Sequence, residues 1–147
     1  MTVRRVMLGL ILSLVVTCAV STSARAGTDY GIESVSGACA ATGGTNGQQR
    51  ELRFGVYFVD ENQNPVDGVD VLVRVRAEKR KTDSLVWASS PSYGIPGLAS
   101  GIDPVYITAS ATRPKQVTYT VIQVNDPSGY QHNPSLDLQT TFTYPCR

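Results

Sequence analysis

LRFGVYFVDENQNPVDGVDVLVRVR, residues 52–76, is the stretch that decides the fold. In an extended chain, Leu52, Phe54, Val56 and Phe58 share one face, and Arg53, Gly55, Tyr57 and Val59 share the other. Val69, Val71, Val73 and Val75 then alternate with Asp70, Leu72, Arg74 and Arg76, which predicts a strand with one buried side. Between the two runs, Pro65-Val66-Asp67-Gly68 reads as a turn, with proline fixing φ and glycine accepting a positive φ. Strand, turn and strand in 25 residues leave no room for a helix, and the sequence on either side repeats the theme.

Further runs at Val105 to Ala111 and Val117 to Val124 are rich in Val, Ile, Thr and Tyr, which suit a pleated surface. Near the end, Leu136, Leu138, Thr140, Phe142 and Tyr144 alternate with polar residues until Pro145 stops the run. Asn46-Gly47, Ser100-Gly101 and Pro127-Ser128-Gly129 supply further turn chemistry. Leu85, Val86 and Trp87 predict a short apolar strand. Ser89 to Gly101, with its prolines and glycines, predicts an irregular crossover. About seven short strands and no helical periodicity predict an all-β sandwich. In such a sandwich a single tryptophan is expected as a core pillar, so Trp87 is placed inside, the other reading being an exposed contact residue.

The first residues read as an export signal. Arg4 and Arg5 precede a 15-residue apolar stretch, Val6 to Val20, and Ala24-Arg25-Ala26 fits the small-residue cleavage pattern. That stretch is shorter than the roughly 20 residues a membrane span needs, so no transmembrane span is expected after signal removal. Residues 1–26 are thus the expected signal peptide and 27–147 a single domain, secreted to the periplasm or beyond. The thirteen Lys and Arg lose three with the leader while the twelve Asp and Glu all remain, leaving a mature net charge of −2. A nucleic-acid binder would be strongly basic, so that class of partner is set aside.

Cys39 and Cys146 bracket the mature chain. In an oxidising compartment a pair of thiols defaults to a bond, and a disulfide stapling the first strand to the last is expected. The alternative, a reactive or metal-binding pair, lacks a third ligand nearby.

The sequence from Val59 to Val71, VDENQNPVDGVDV, resembles the opening of bacterial Ig-like domains of the invasin/intimin group, which carry a strand, an Asp, a G-N-P-V turn, a Gly and a second alternating strand. Val105 to Ala111, VYITASA, is similar to their V-T-A strand. Tyr119 to Val124 followed by PSGYQHNP, residues 127–134, is similar to a Y-T-V…G-Y-x-Y-x-P ending. The match runs roughly from Leu52 to Tyr144. The chain departs from it with Gln63 where the family carries glycine, with His132 in place of the second aromatic, and with its terminal cysteines. The resemblance implies an extracellular immunoglobulin-like sandwich serving as an adhesive, spacer or accessory module, with no active site.

Several groups of residues are candidates for chemistry. Asp60, Asn62 and Asn64 have the alternate spacing of a calcium loop, but Pro65 and Val71 stand where a calcium-binding loop of that kind needs Gly and Glu; the other reading is a polar turn, with Asp67 and Asp70 at its rim. Arg74, Arg76, Lys79, Arg80 and Lys81 form the one cluster of like charge. They suit an anionic partner, or else a solvated strand end that discourages edge pairing. His132, the lone histidine, is expected in a solvated loop and outside any catalytic role. Tyr57, Tyr93, Tyr106, Tyr119 and Tyr130 offer stacking surfaces for sugars, or half-buried packing on sandwich faces.

No cofactor is expected. The function these readings favour is a non-enzymatic module for recognition, adhesion or structural support at the bacterial cell envelope or outside it. Its partner would be a protein or an anionic or glycan surface. A secreted protease inhibitor presenting Ser89 to Gly101, or a carbohydrate-binding module, is the alternative.

Overall fold

A computed structural model describes residues 27–43, 49–77, 82–106 and 116–146. Among these, eight strands form two four-stranded sheets packed as a sandwich, with no α-helix. The strands are β1 (Thr28–Gly43), β2 (Gln49–Asp60), β3 (Asp70–Ala77), β4 (Asp83–Ser89), β5 (Leu98–Tyr106), β6 (Gln116–Asn125), β7 (Tyr130–His132) and β8 (Thr141–Pro145). One sheet runs β5-β2-β1-β7 and the other β4-β3-β6-β8. The chain therefore crosses between sheets after β2, β4, β5, β6 and β7. No helix among the described residues is long and apolar enough to cross a membrane.

The core follows the alternation in residues 52–76. Leu52, Phe54, Val56 and Phe58 from β2 are all buried and face Val71, Val73 and Val75 from β3, also buried. Each such side chain contributes on the order of 1.5–3 kcal/mol by leaving water. The Pro65 to Gly68 turn is present, with Gly68 at φ 82°. Gln63, where the resembling family has glycine, takes φ 65°, a left-handed conformation that glycine adopts without steric cost.

β1 is the strand with least signature in the sequence. Tyr30 and Ile32 are buried, Glu33 bulges out of register, and Val35 is buried next. The bulge switches the inward side from even to odd positions, so the strand has no continuous period of two. The β1 amides beside the bulge find side-chain partners in the C-terminal segment: Ile32 donates to Asp137 Oδ1 at 2.8 Å and Val35 to Gln139 Oε1 at 3.3 Å.

That arrangement corrects the expected strand from Leu136 to Tyr144. Pro134–Leu136 is a 3-10 turn capped by Asn133, the chain then runs irregularly along β1, and pairing resumes only at Thr141. Asp137 and Gln139 alternate as a strand would, but their side chains are spent on β1, and Leu138 is left exposed.

Two other expectations change. The crossover at Ser89 to Gly101 is shorter than the prolines and glycines suggest, because Leu98 already pairs with Tyr57, and Ser100-Gly101 lies inside β5 opposite Gly55 and Phe54. Gly101 is needed there because a Cβ would meet the Phe54 ring at 2.5 Å. The strand expected from Val105 overlaps the end of β5, and its remainder, like Asn46-Gly47, lies outside the described residues. Finally, the described residues hold eight strands, in keeping with the about seven expected, and include three-residue β7, which pairs parallel to the start of β1.

Cys39 on β1 and Cys146 after β8 come to disulfide-bonding distance, with Cα atoms 5.3 Å apart. The link joins the two sheets on the side where β1 faces β8. Two aromatic residues seal that side. Tyr119, fully buried, lies flat against Gly37 and donates its hydroxyl to the Ala38 carbonyl. Phe54 packs beside Tyr119 with ring centroids 6.1 Å apart.

Candidate functional site

The outer face of the β4-β3-β6-β8 sheet carries the side chains that the fold does not use. Registers place Leu72 beside Trp87, Arg74 beside Leu85 and Arg76 beside Asp83. On the other flank of β3, Arg74 meets Thr120 and Arg76 meets Thr118. A bulge in β6 between the partners of Leu72 and Val73 turns Ile122 outward, and it is half exposed. The result is an apolar strip of Leu85, Trp87, Leu72 and Ile122 next to a polar field of arginine and threonine.

Trp87 is 51 % exposed and Leu85 61 %, which overturns the placement of Trp87 in the core. The reason is positional. An Ig-type pillar sits on the strand here numbered β3, whereas Trp87 is one strand later, on edge strand β4, and its phase points it away from the core. Ala88, the next residue, takes the inward position.

Of the basic cluster, the structure brings Arg74 and Arg76 to this face as the alternation required. Arg74 is already engaged: its guanidinium makes a two-pronged contact with Asp83, with Nε and a terminal nitrogen each 2.7 Å from a carboxylate oxygen. That contact raises the Arg74 pKa, the hydrogen bond contributing more than the charge attraction. Arg76 is exposed on the same face. Lys79, Arg80 and Lys81 lie outside the described residues.

The Asp60, Asn62 and Asn64 cluster forms a tight turn around one carboxylate. Asp60 Oδ1 accepts the amides of Asn62 at 2.8 Å and Asn64 at 2.9 Å, and Oδ2 accepts the Asn64 side-chain amide at 3.2 Å. These donors, the Asn64 amide foremost, hold the Asp60 pKa below the usual carboxylate range against the opposing effect of burial. Asn62 and Asn64 thus present N–H groups to Asp60, where ligands for a cation would present oxygen lone pairs. Asp67 is used elsewhere, accepting the Gly97 amide at 2.6 Å, and Asp70 accepts from the Ser89 hydroxyl. No group of three or more His, Cys, Asp or Glu side chains suited to a metal occurs among the described residues.

His132 departs from the solvated loop expected of it. Its ring sits beside Tyr30, centroids 5.6 Å apart, with Nε2 2.9 Å from Asp137 Oδ1, and its side chain is 18 % exposed. Asp126 binds the His132 amide at 2.8 Å and the Tyr30 hydroxyl at 2.9 Å. Burial, reinforced by Asp126, raises the Tyr30 pKa. Asp137 also anchors Ile32, so this cluster pins the C-terminal segment to β1. The Tyr30–Asp126 and Ile32–Asp137 contacts span about a hundred positions, so no local signal in the sequence joined β1 to this cluster.

The loop between β4 and β5 is a second exposed feature. Tyr93 at φ 53° and Gly94 at φ 70° form the tip of a turn closed by the Ile95 amide donating to Ser92 at 3.0 Å. Ser92 fixes its base, donating through Oγ to the Ser89 carbonyl and accepting the Ser100 amide. Tyr93 is 82 % exposed. Among the other tyrosines, Tyr119 is buried, Tyr130 sets its ring against Tyr30, and Tyr57 is half-buried beside Gly97. The Tyr106 side chain lies outside the described residues. A cleft of about 420 Å³ opens between the β1 bulge and the Asp60 turn, with Glu33 and Glu61 at its rim and Leu136 and Leu138 on its wall.

No family model, no curated protein and no solved structure matches the chain.

Proposed function

We propose that the protein is an exported, non-enzymatic Ig-like module for recognition and adhesion at the bacterial cell envelope or outside it, with the outer face of β4-β3-β6-β8 as its contact surface. The observation that carries the reading is Trp87, half exposed beside Leu85 with Arg76 on the same face. Tryptophan and arginine dominate the residues on which binding energy concentrates, and an unburied indole contributes little to the fold itself. The exposed arginine suits a partner surface bearing carboxylates or other anions. The test is binding of the mature chain to isolated envelopes of the producing cell. Trp87→Ser is expected to reduce binding at all salt concentrations, and Arg76→Glu to reduce it chiefly at low salt. Binding unchanged in both variants would remove the proposal.

The loop at Ser90 to Gly97 supports a second reading, the protease inhibitor. Tyr93 is held out on a turn whose ends are tied by several hydrogen bonds, and such fixed loops bind with little ordering cost. Stoichiometric inhibition of an extracellular protease, lost in Tyr93→Ser, would favour it; rapid cleavage at the loop would dismiss it.

A further inference from the structure

Edge strands of a sandwich carry unpaired backbone groups, and proteins guard them with prolines, charges or brevity. Three of the four described edges are guarded here: β5 contains Asp103 and Pro104, β7 has three residues, and β8 has five and ends in Pro145. β4 is the exception. Its seven residues, DSLVWAS, contain no proline and a single charge, Asp83, at one end and paired with Arg74, and its two large outward side chains are Leu85 and Trp87.

The strand is also complementary to itself. An antiparallel pairing of two copies about a two-fold axis at Val86 sets Leu85 opposite the partner's Trp87, Ser84 opposite the partner's Ala88, and Asp83 opposite the partner's Ser89. No like charges oppose one another, and Asp83 is already balanced by Arg74. Leu85 and Trp87 point to the same face, so the axis creates two aromatic–aliphatic cross-strand contacts, the kind that stabilises sheets. The pleat excludes a shift of one residue, which would set the small inward side chains against the outward apolar ones; shifts of two keep the faces but set Leu85 or Trp87 against itself and lose the two mixed contacts.

We propose that β4 is a self-association edge, through which two copies join their β4-β3-β6-β8 sheets into one continuous eight-stranded sheet. A ladder of seven residues a side, with half of each indole already covered, falls below the roughly 1,200 Å² of a standard stable interface. The dimer is therefore a weak one that forms in the micromolar range. It would double the apolar and arginine face, giving two-point attachment, but it does not depend on what that face binds.

The test needs no partner. Sedimentation equilibrium of the mature chain across micromolar to millimolar concentrations is expected to show a monomer–dimer equilibrium. Register is read by cross-linking under mild oxidation. In Val86→Cys each new thiol faces its symmetry mate across a pair of strands about 5 Å apart, within reach of a disulfide. In Ser84→Cys the two thiols lie about 13 Å apart along the ladder and out of reach. Peptide mapping assigns the link and excludes exchange with Cys39 or Cys146. The expected result is a covalent dimer from Val86→Cys and at least tenfold slower cross-linking from Ser84→Cys. A monomer at every concentration, a dimer in which Val86→Cys does not cross-link, or equal rates in the two variants would each overturn the proposal.

Discussion

Gly37→Ala tests the closure of the sandwich at its most crowded point. Gly37 belongs to β1 and Tyr119 to β6 of the opposite sheet. A Cβ at position 37 would overlap two carbons of the tyrosine ring, with a third at 2.9 Å. The ring has nowhere to retreat, because it is fully buried, packs on Phe54 and holds the Ala38 carbonyl through its hydroxyl. Overpacking of this kind costs about 1–3 kcal/mol, and a ring displaced from Ala38 gives up a further ~0.5–1.5 kcal/mol of hydrogen bonding. The expected loss is about 2–4 kcal/mol, read as a lower urea midpoint at unchanged slope with the disulfide intact. Tyr119→Leu in the same background vacates the space the new methyl needs. The double variant should therefore be more stable than the sum of the single losses implies, by about 1–3 kcal/mol. If Gly37→Ala falls within about 0.5 kcal/mol of the parent, or if the two changes simply add, the ring does not rest on Gly37 and the close approach of the sheets is misjudged.

Joining residues 107 positions apart should constrain the unfolded chain by up to about 4.7 kcal/mol; Cys39→Ser with Cys146→Ser is expected to lower the denaturation midpoint, and an unchanged midpoint would contradict the link. Gln63→Gly relieves a left-handed residue and should raise stability by up to about 1 kcal/mol, measured as a higher midpoint. Asp60 has a depressed folded-state pKa, so its contribution is fully present above the unfolded carboxylate value near 3.9 and disappears as pH falls toward the folded value. Asp60→Asn should accordingly be less stable than the parent at neutral pH and show a shallower acid limb below about pH 4, with parallel curves excluding the effect.

The core was legible in the sequence wherever a strand keeps one phase along its length. β2 and β3 do: the face shared by Leu52, Phe54, Val56 and Phe58, and the side of Val69, Val71, Val73 and Val75 expected to be buried, are all buried. Legibility fails where a bulge shifts the phase, as at Glu33 in β1, or where alternating side chains serve another strand, as with Asp137 and Gln139. Trp87 failed for a different reason. Composition suggested a pillar, but inward or outward is decided by which strand carries the residue, and only the register against Leu72 reveals that. The candidate surface was half visible: Arg74 and Arg76 were placed outward by alternation, while the Arg74–Asp83 pairing and the neighbouring indole emerge only once β3 and β4 lie side by side.

The two sides of the sandwich are built on opposite principles. Where β1 faces β8, the structure is closed by the sulfur pair and the Tyr119 hydroxyl bonded to the Ala38 carbonyl. Where β5 faces β4, the described residues place no covalent link across the sheets, and the middle of the β4 edge presents the apolar side chains of Leu85 and Trp87. The covalent link and the buried hydroxyl bond both lie on the first side, while the outward side chains of β4 take no inward position in the core. Trp87 and Leu85 occupy that second side and no inward position depends on them. Replacing both with serine should therefore alter attachment and self-association far more than the unfolding midpoint. That separation distinguishes a contact surface from a poorly packed edge, in which binding and stability would fall together.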